Sequence, residues 1–356
     1  MSLKEIAEEV GVSISTVSRI LNHPEYNKND EGLRERVFKA ARKLNYIPNE
    51  AARNLKCNSD KDKNHANIMI IVTRVDSMEV DPFYRELIRE IEREVHNSRN
   101  VLTKIIYKSE LSDEKKCANL DIHKEINVLF KDSGKIDGIV VIGRCVERAV
   151  DELLRHSENI VAVSRNPLNY KIDEVVCDGK KIARDAIDYL ISLGHRNIAY
   201  VGDCHKEARF KGYQETLFRY NISYEPDYIV KCKISEEDGI QAIKELIELE
   251  NPPTAIYCAN DIIAIGMLKY LSMGHNRYYR PSIISSDDIE EAQYTSPMLT
   301  TVHLPKREMA KFAYYLLTDR MKKGHSAVTR IESEGTLIRR ESCSDAGAAL
   351  ECEYII

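Results

Sequence analysis

Apolar residues recur at helical spacing near the N-terminus and give way to short β-branched runs further along. Leu3, Ile6, Ala7 and Val10 fall on one face of a predicted helix. Gly11-Val12-Ser13 interrupts it, because glycine tolerates a tight turn and serine is a strong N-cap. A second helix is predicted over residues 14–21, with Thr16, Val17, Ile20 and Leu21 on one side of the wheel. Ile14, Ser15, Ser18, Arg19 and Asn22 occupy the other. Asp30 can cap a third helix over residues 33–44, whose core positions are Val37, Ala40, Ala41 and Leu44.

From Ala66 onward the pattern changes. Apolar, β-branched runs at 68–72, 101–107, 139–142, 160–163, 198–201, 255–257 and 282–284 predict strands. Amphipathic stretches at 84–96, 182–193 and 261–271 predict helices between them. Near-continuous apolar strands alternating with helices indicate parallel sheets covered on both faces. The predicted fold class is therefore α/β, with an all-α helix-turn-helix segment ahead of a two-lobed α/β segment. So long a segment divides into two sheets, and ligands of such folds sit in clefts at the carboxyl ends of strands. The polar run 58–64 reads as a linker. The predicted boundaries are 1–57 for the helical segment, 58–65 for the linker, 66–342 for the two lobes and 343–356 for a tail.

Charge and composition narrow the function. The chain has 356 residues and a net charge of −5. Residues 1–57 hold ten Lys and Arg against eight Asp and Glu, a net of +2 that leaves −7 for the remainder. That asymmetry permits nucleic-acid binding by the first segment without demanding it. No apolar run approaches a membrane span and no signal-like stretch opens the chain, so the expected location is the cytoplasm. Nine cysteines stand singly without zinc-ligand spacing, and the expectation is reduced thiols with no metal and no cofactor. A phosphate loop, a nucleophile elbow and a metal cluster are all missing from the sequence, which argues against an enzyme.

On the second helix, hydroxyls, an amide and one Arg form the polar face, and these groups reach base edges and phosphates. The segments Leu3-Lys4-Glu5-Ile6-Ala7, Gly11-Val12-Ser13, Ser15-Thr16-Val17-Ser18-Arg19-Ile20-Leu21-Asn22 and Leu44-Asn45-Tyr46-Ile47-Pro48-Asn49 together resemble the signature of the lactose/galactose repressor family. The resemblance implies that Ile14, Ser15 and Arg19 face bases while Thr16, Ser18 and Asn22 approach phosphates. It further implies a hinge helix over about 50–56 in which Leu55 wedges into the minor groove beside Arg53 and Lys56. An apolar wedge of this kind unstacks a base step and kinks the duplex. Val10 and Leu33 depart from the family pattern, and the segment 23–27 is about two residues longer than in the lactose repressor.

The resemblance continues to about Ser342 through Leu193-Gly194-His195-Arg196-Asn197-Ile198-Ala199, Arg209-Phe210-Lys211-Gly212-Tyr213, Ala259-Asn260-Asp261, Asp287-Asp288 and Leu299-Thr300-Thr301-Val302. It implies a periplasmic-binding-protein-like sensor whose lobes are joined by three crossings. Asp81, Phe83 and Tyr84 follow the first strand and supply a carboxylate and two aromatic faces, which suit a sugar. Arg209, Asn260 and Asp287 match family positions that hydrogen-bond the effector. Asp178 and Arg165 are further candidates at strand-to-loop junctions, and Ser285-Ser286 stand where Gly plus an aromatic is usual. The expected partners are double-stranded operator DNA, a small sugar (a galactoside first) and a second copy of the chain. A nucleobase or other metabolite acting as corepressor is the alternative effector. The tail has no heptad repeat, so a homodimer is expected and no higher assembly.

Overall fold

The structure, a computed structural model, describes residues 3–22, 32–33, 35–37, 40, 65–77, 81–131, 133–166, 171–205, 207–274 and 279–347. The chain forms two compact units, Met1–Asn64 and His65–Ile356.

In the first unit, α1 (Leu3–Val10) and α2 (Ile14–Asn22) follow the predicted periodicity. Ile6, Val17, Ile20 and Val37 are sealed from solvent and pack with Ala7, Leu33 and Ala40. The third helix is represented by helical residues at 32–33, 35–37 and 40; Ala41 and Leu44, also expected in this core, lie outside the described residues.

The second unit is built on two six-stranded sheets. Lobe one contains β1 (Asn67–Val72), β2 (Val101–Tyr107), β3 (Gly138–Ile142), β4 (Ile160–Ser164), β5 (Asp173–Cys177) and β11 (Arg330–Ser333). Their order is β11-β5-β4-β3-β1-β2, with every neighbouring pair parallel. Lobe two contains β6 (Ile198–Gly202), β7 (Ile229–Lys231), β8 (Ala255–Cys258), β9 (Ser282–Asp287), β10 (Thr300–His303) and β12 (Thr336–Ile338). Its order is β12-β10-β9-β8-β6-β7, parallel except where β12 joins β10. The chain crosses between the lobes after β5, after β10 and between β11 and β12.

Helices cover the sheet faces. In lobe one α3 (Pro82–Asn97) packs on α11 (Lys306–Met321), which also covers β3, β4 and β5. In lobe two α7 (Gly179–Ser192) packs on α8 (Ala208–Arg219), and α9 (Glu236–Ile247) on α10 (Asp261–Ser272). Strands β3, β4, β6 and β8 are buried at every position, as double-sided coverage requires. Between β2 and β4 come α4 (Glu114–Cys117), α5 (Ile122–Phe130) and α6 (Glu147–Leu154), with α5 and α6 packed together.

Apolar runs did not foretell β5, β7, β10, β11 and β12, and β9 extends three residues past its predicted end, to Asp287. Residues 343–346, expected in the tail, are bonded to lobe two. Ser344 N–H donates to Ser282 Oγ at 3.0 Å and Ala346 N–H to Leu193 O at 2.8 Å. His195 explains this docking, since its buried ring bonds Thr254, Ser282 and the Ser344 carbonyl.

Candidate functional site

The turn before α2 is closed by backbone geometry. Gly11 sits at φ 74°, a left-handed value that costs other residues about 1–2 kcal/mol, and its N–H reaches Ala7 O at 2.9 Å. Ser13 Oγ accepts the Thr16 N–H at 3.1 Å and lies 2.8 Å from both the Ser15 and Thr16 hydroxyls, so the predicted N-cap is formed. The outer face presents Ile14, Ser15 and Arg19 to solvent, with Ile14 45% exposed although it is a large apolar residue. Thr16 is half-buried, which suits both the packing and the phosphate-side positions expected of it. Ser18 and Asn22 belong to α2, while Arg53, Leu55 and Lys56 lie outside the described residues.

The cleft is built from strand ends. Three lobe-one strands each release an arginine at or just past the carboxyl end: Arg74 after β1, Arg144 after β3 and Arg165 after β4. Thr73 ties the first two loops together, its Oγ donating to Arg144 O at 2.5 Å and its N–H to Ile142 O at 3.0 Å. Gly143 N–H donates to Val163 O at 2.8 Å and joins the third. Gly143 has φ 96° and a Cβ there would lie 2.6 Å from Arg74 Cγ, so only glycine lets the Arg74 side chain cross it.

Asp81 caps α3, its Oδ1 accepting the Phe83 N–H at 2.9 Å, while Oδ2 is buried without a hydrogen-bond partner. Burial, followed by the nearby Asp287 charge, pushes the Asp81 carboxyl up to about 6. The Phe83 and Tyr84 rings meet edge to face, and the Arg165 guanidinium lies 4.6 Å from the Phe83 centroid. Arg165 also donates to Tyr84 Oη at 3.0 Å.

Lobe two supplies the opposing wall. Arg209 is buried at the start of α8, donating through Nε to Glu207 Oε1 at 3.0 Å and through Nη1 to the Ala259 carbonyl. Burial alone would raise the Glu207 carboxyl, but the Arg209 and Arg74 charges outweigh it and hold the group at about 2. Asn260 caps α10 by accepting the Ile263 N–H at 3.1 Å, and its Nδ2 is buried without a partner. Asp261 lies behind it, bonded by Ser285, Thr301 and the Ile289 N–H; burial and Asp287 push its carboxyl up to about 7. Asp287 ends β9 at φ 124°, and Asp288 follows at φ 49°. Residues held in such regions store about 1–3 kcal/mol each and gather where function requires them.

Ion pairs span the cleft. Arg165 Nη1 donates to Asp287 Oδ1 at 2.5 Å, Arg74 approaches Glu207 at 3.6 Å, and Arg85 meets Glu291 at 3.0 Å. Lys306 of α11 donates to the Asp287 and Asp288 carbonyls at 2.8 and 2.9 Å, and so grips the strained turn from the other lobe. The pocket on the lobe-one wall is narrow, with a cavity volume of about 10 Å³, and Arg74, Tyr84, Arg144, Arg165 and Met309 are among its lining residues.

Asp81, Phe83, Tyr84, Arg209 and Asp287 thus meet within one charged network around Arg165, and Asn260 adjoins it through Ala259. Arg165 stands at its centre, beyond the secondary role expected of it. Asp178 caps α7 through the Lys180 N–H at 2.8 Å and does not line the pocket. Sequence reading missed Arg74, Arg144, Glu207 and Lys306; an arginine one or two residues past an apolar run was the available signal for the first two. Among the described residues no group of His, Cys, Asp or Glu could hold a metal, and no helix is long and apolar enough to cross a membrane.

A helix-turn-helix unit and a two-lobed α/β unit with a polar cleft define a ligand-responsive DNA-binding regulator. Residues 2–49 match the description "Bacterial regulatory proteins, lacI family", and residues 187–343 match "Periplasmic binding protein-like domain". The chain is 31% identical over 332 residues to the HTH-type transcriptional repressor CytR of Escherichia coli (strain K12), covering 91% of each protein. Its fold is similar to that of the transcriptional regulator CelR in a cellobiose complex (TM-score 0.66, 21% identity, 96% of this chain and 100% of the other). It is similar also to the Lac repressor dimer bound to operator and the anti-inducer ONPF (TM-score 0.64, 20% identity, 96% and 98%). The chain belongs to the LacI family: it is a DNA-binding transcriptional repressor with a small-molecule effector, and not an enzyme.

Proposed function

We propose that a small sugar, with a galactoside as first choice, controls this repressor's operator affinity by binding between the lobes. Asp81, Phe83, Tyr84, Arg209, Asn260 and Asp287 are its contacts. One observation carries the reading. Asp81 Oδ2 and Asn260 Nδ2, an acceptor and a donor from opposite lobes, are buried without partners. Buried polar groups are nearly always satisfied, and an orphan of each kind suits a polyhydroxylated ligand that accepts from one and donates to the other. The cellobiose bound by CelR, on the same fold, supports a sugar.

Only a ligand that binds one lobe arrangement better can shift the equilibrium, and such couplings are typically about 1–3 kcal/mol. Arg165, Lys306 and Asp287 hold the lobes together, so a ligand competing for Asp287 changes their relative stability. Induction is the expected sign. Adding galactosides should release a labelled operator from the repressor, followed by fluorescence anisotropy. A ligand that tightens the complex would instead identify a corepressor.

On DNA, the proposed reading face is Ile14, Ser15 and Arg19, with Thr16, Ser18 and Asn22 on phosphates and Arg53, Leu55 and Lys56 at the minor groove. A homodimer on a pseudo-palindrome supplies the specificity that one recognition helix lacks. Arg19→Ala should cost about 1–3 kcal/mol and relax preference at one base pair per half-site, if Arg19 grips a guanine. Competition binding against single-base operator variants measures this, and an unchanged preference at every position would reassign the face.

A further inference from the structure

The lobe-one pocket has a charge pattern that a neutral sugar does not explain. Among the described residues its charged lining residues are Arg74, Arg144 and Arg165, with no carboxylate. They come from three adjacent parallel strands, in the order β4-β3-β1, and Thr73 and Gly143 stitch their loops together. The three guanidiniums line one pocket, where anions are needed to balance their charge. Two are answered from lobe two: Arg74 by Glu207 at 3.6 Å and Asp203 at 4.0 Å, Arg165 by Asp287 at 2.5 Å. Arg144 is half-buried and makes no side-chain hydrogen bond or ion pair among the described residues. Its charge reaches Asp113, a carboxyl held down first by the Lys115 N–H and then by His205 and Arg144.

We infer that the effector carries an anionic group, a phosphate monoester or a carboxylate on a hydroxylated ring, and that Arg144 receives it beside Arg74 and Arg165. This rests on the interlobe effector reading and narrows its chemical class. Guanidinium is the side chain suited to this task, since its planar fork meets phosphate or carboxylate oxygens two at a time. The other lining residues carry the chemistry for the remainder of such a ligand, which the lobes must part to admit. Phe83 and Tyr84 offer ring faces, and Ser164 and Asn166 offer polar groups for hydroxyls. Like charge on three strand ends also explains why Arg74 and Arg165 lean across to lobe two: an anion bound at Arg144 competes with Glu207 and Asp287 for them, which couples ligand charge to lobe arrangement.

The test is calorimetric titration of the full-length protein with galactose, galactose 6-phosphate, galacturonate and inorganic phosphate. At least one of the two anionic sugars should bind about tenfold or more tighter than galactose, the gain of one charged hydrogen-bonded contact. Whichever gains more identifies phosphate or carboxylate. Arg144→Gln should remove that gain and Arg144→Lys restore part of it, with unliganded melting reporting that both variants fold. If galactose binds as tightly as both anions and depends on Asp287, the anionic class is wrong and the effector site stands. If an anion binds equally well to wild type and Arg144→Gln, it is held elsewhere, for instance by the DNA-binding segment, and the inference is overturned. If none of the four binds, the sugar reading falls and this inference with it.

Discussion

Replacing Asp287 by alanine is expected to produce a repressor that holds its operator at every effector concentration. Asp287 is the lobe-two group that Arg165 grips at 2.5 Å, and the Arg209 Nη1 lies 3.9 Å from the same oxygen. A ligand that competes for this carboxylate loses its differential hold on the lobes once the carboxylate is gone. The coupling, about 5- to 150-fold in affinity for typical regulators, should fall to none. The change also leaves two buried guanidiniums short of an anion, and alanine at φ 124° is strained. Asp287→Asn is the companion variant, because asparagine tolerates positive φ and keeps one acceptor. Both are to be titrated with effector against labelled operator, alongside their urea midpoints. A full ligand response in a folded Asp287→Ala protein would remove Asp287 from the effector contacts.

The second large effect is on stability. Arg209→Met should cost about 3–5 kcal/mol, the range for breaking a buried ion pair by removing one partner. That is a sizeable part of the roughly 5–15 kcal/mol that holds a typical domain together. Glu207 is left buried with Arg74 as its ion-pair partner and Arg165 further off, and the Ala259 carbonyl loses its donor. The pH dependence gives the test its specificity. Glu207 stands at about 2 in the native protein against 4.5 for the unperturbed group, so its ionised form adds stability above about 4.5 that is lost as pH falls towards about 2. In Arg209→Met burial prevails and the carboxyl rises, so the deficit should be full at neutral pH and narrow on acidification through that window. Urea unfolding of both proteins from neutral to acid pH measures it. A deficit that stays constant across the window would mean that the lost packing of Arg209, and not its charge, is responsible.

The sequence made the sheets legible wherever burial was purely apolar. Strands β1, β3, β4, β6 and β8 each contain a run of Ile, Val, Ala, Met or Tyr, and both lobes are organised around them. Pattern reading failed at β5 and β10 for one reason: their polar residues are buried against partners remote in the chain. Asp173 and Glu174 open β5, and Asp173 takes two bonds from Arg320 and one from His325. Thr301 of β10 answers Asp261 at 2.6 Å, and the Thr300 hydroxyl accepts the Arg340 N–H at 3.0 Å. Polarity that reads as loop in one dimension is core in three. The short edge strands β7, β11 and β12 carry too few residues to show a period. At the cleft, resemblance pointed to Asp81, Phe83, Tyr84, Arg209, Asn260 and Asp287, residues that also cap helices or fill core and are ordinary by pattern alone. Arg74, Arg144 and Lys306 matter through which strand ends and helix ends lie side by side, an adjacency fixed by the β4-β3-β1 order and the return of α11.

The three crossings impose an order on synthesis. Lobe one begins at β1, yet its covering helix α11 ends at Met321 and its edge strand β11 lies at Arg330–Ser333. While a ribosome makes residues 179–305, the apolar faces of β3, β4 and β5 that α11 later covers have no partner from their own chain. Lobe two can assemble most of its sheet in that interval, and lacks only β12 at its edge. The lobe encoded first is thus completed only a few residues ahead of the lobe encoded second, and the nascent protein carries an open hydrophobic sheet through more than a third of its translation. A stop codon placed just before Lys306 should yield a chain that chaperones retain, whereas one placed after Gly347, beyond the residues bonded to lobe two, should release a compact two-lobed unit.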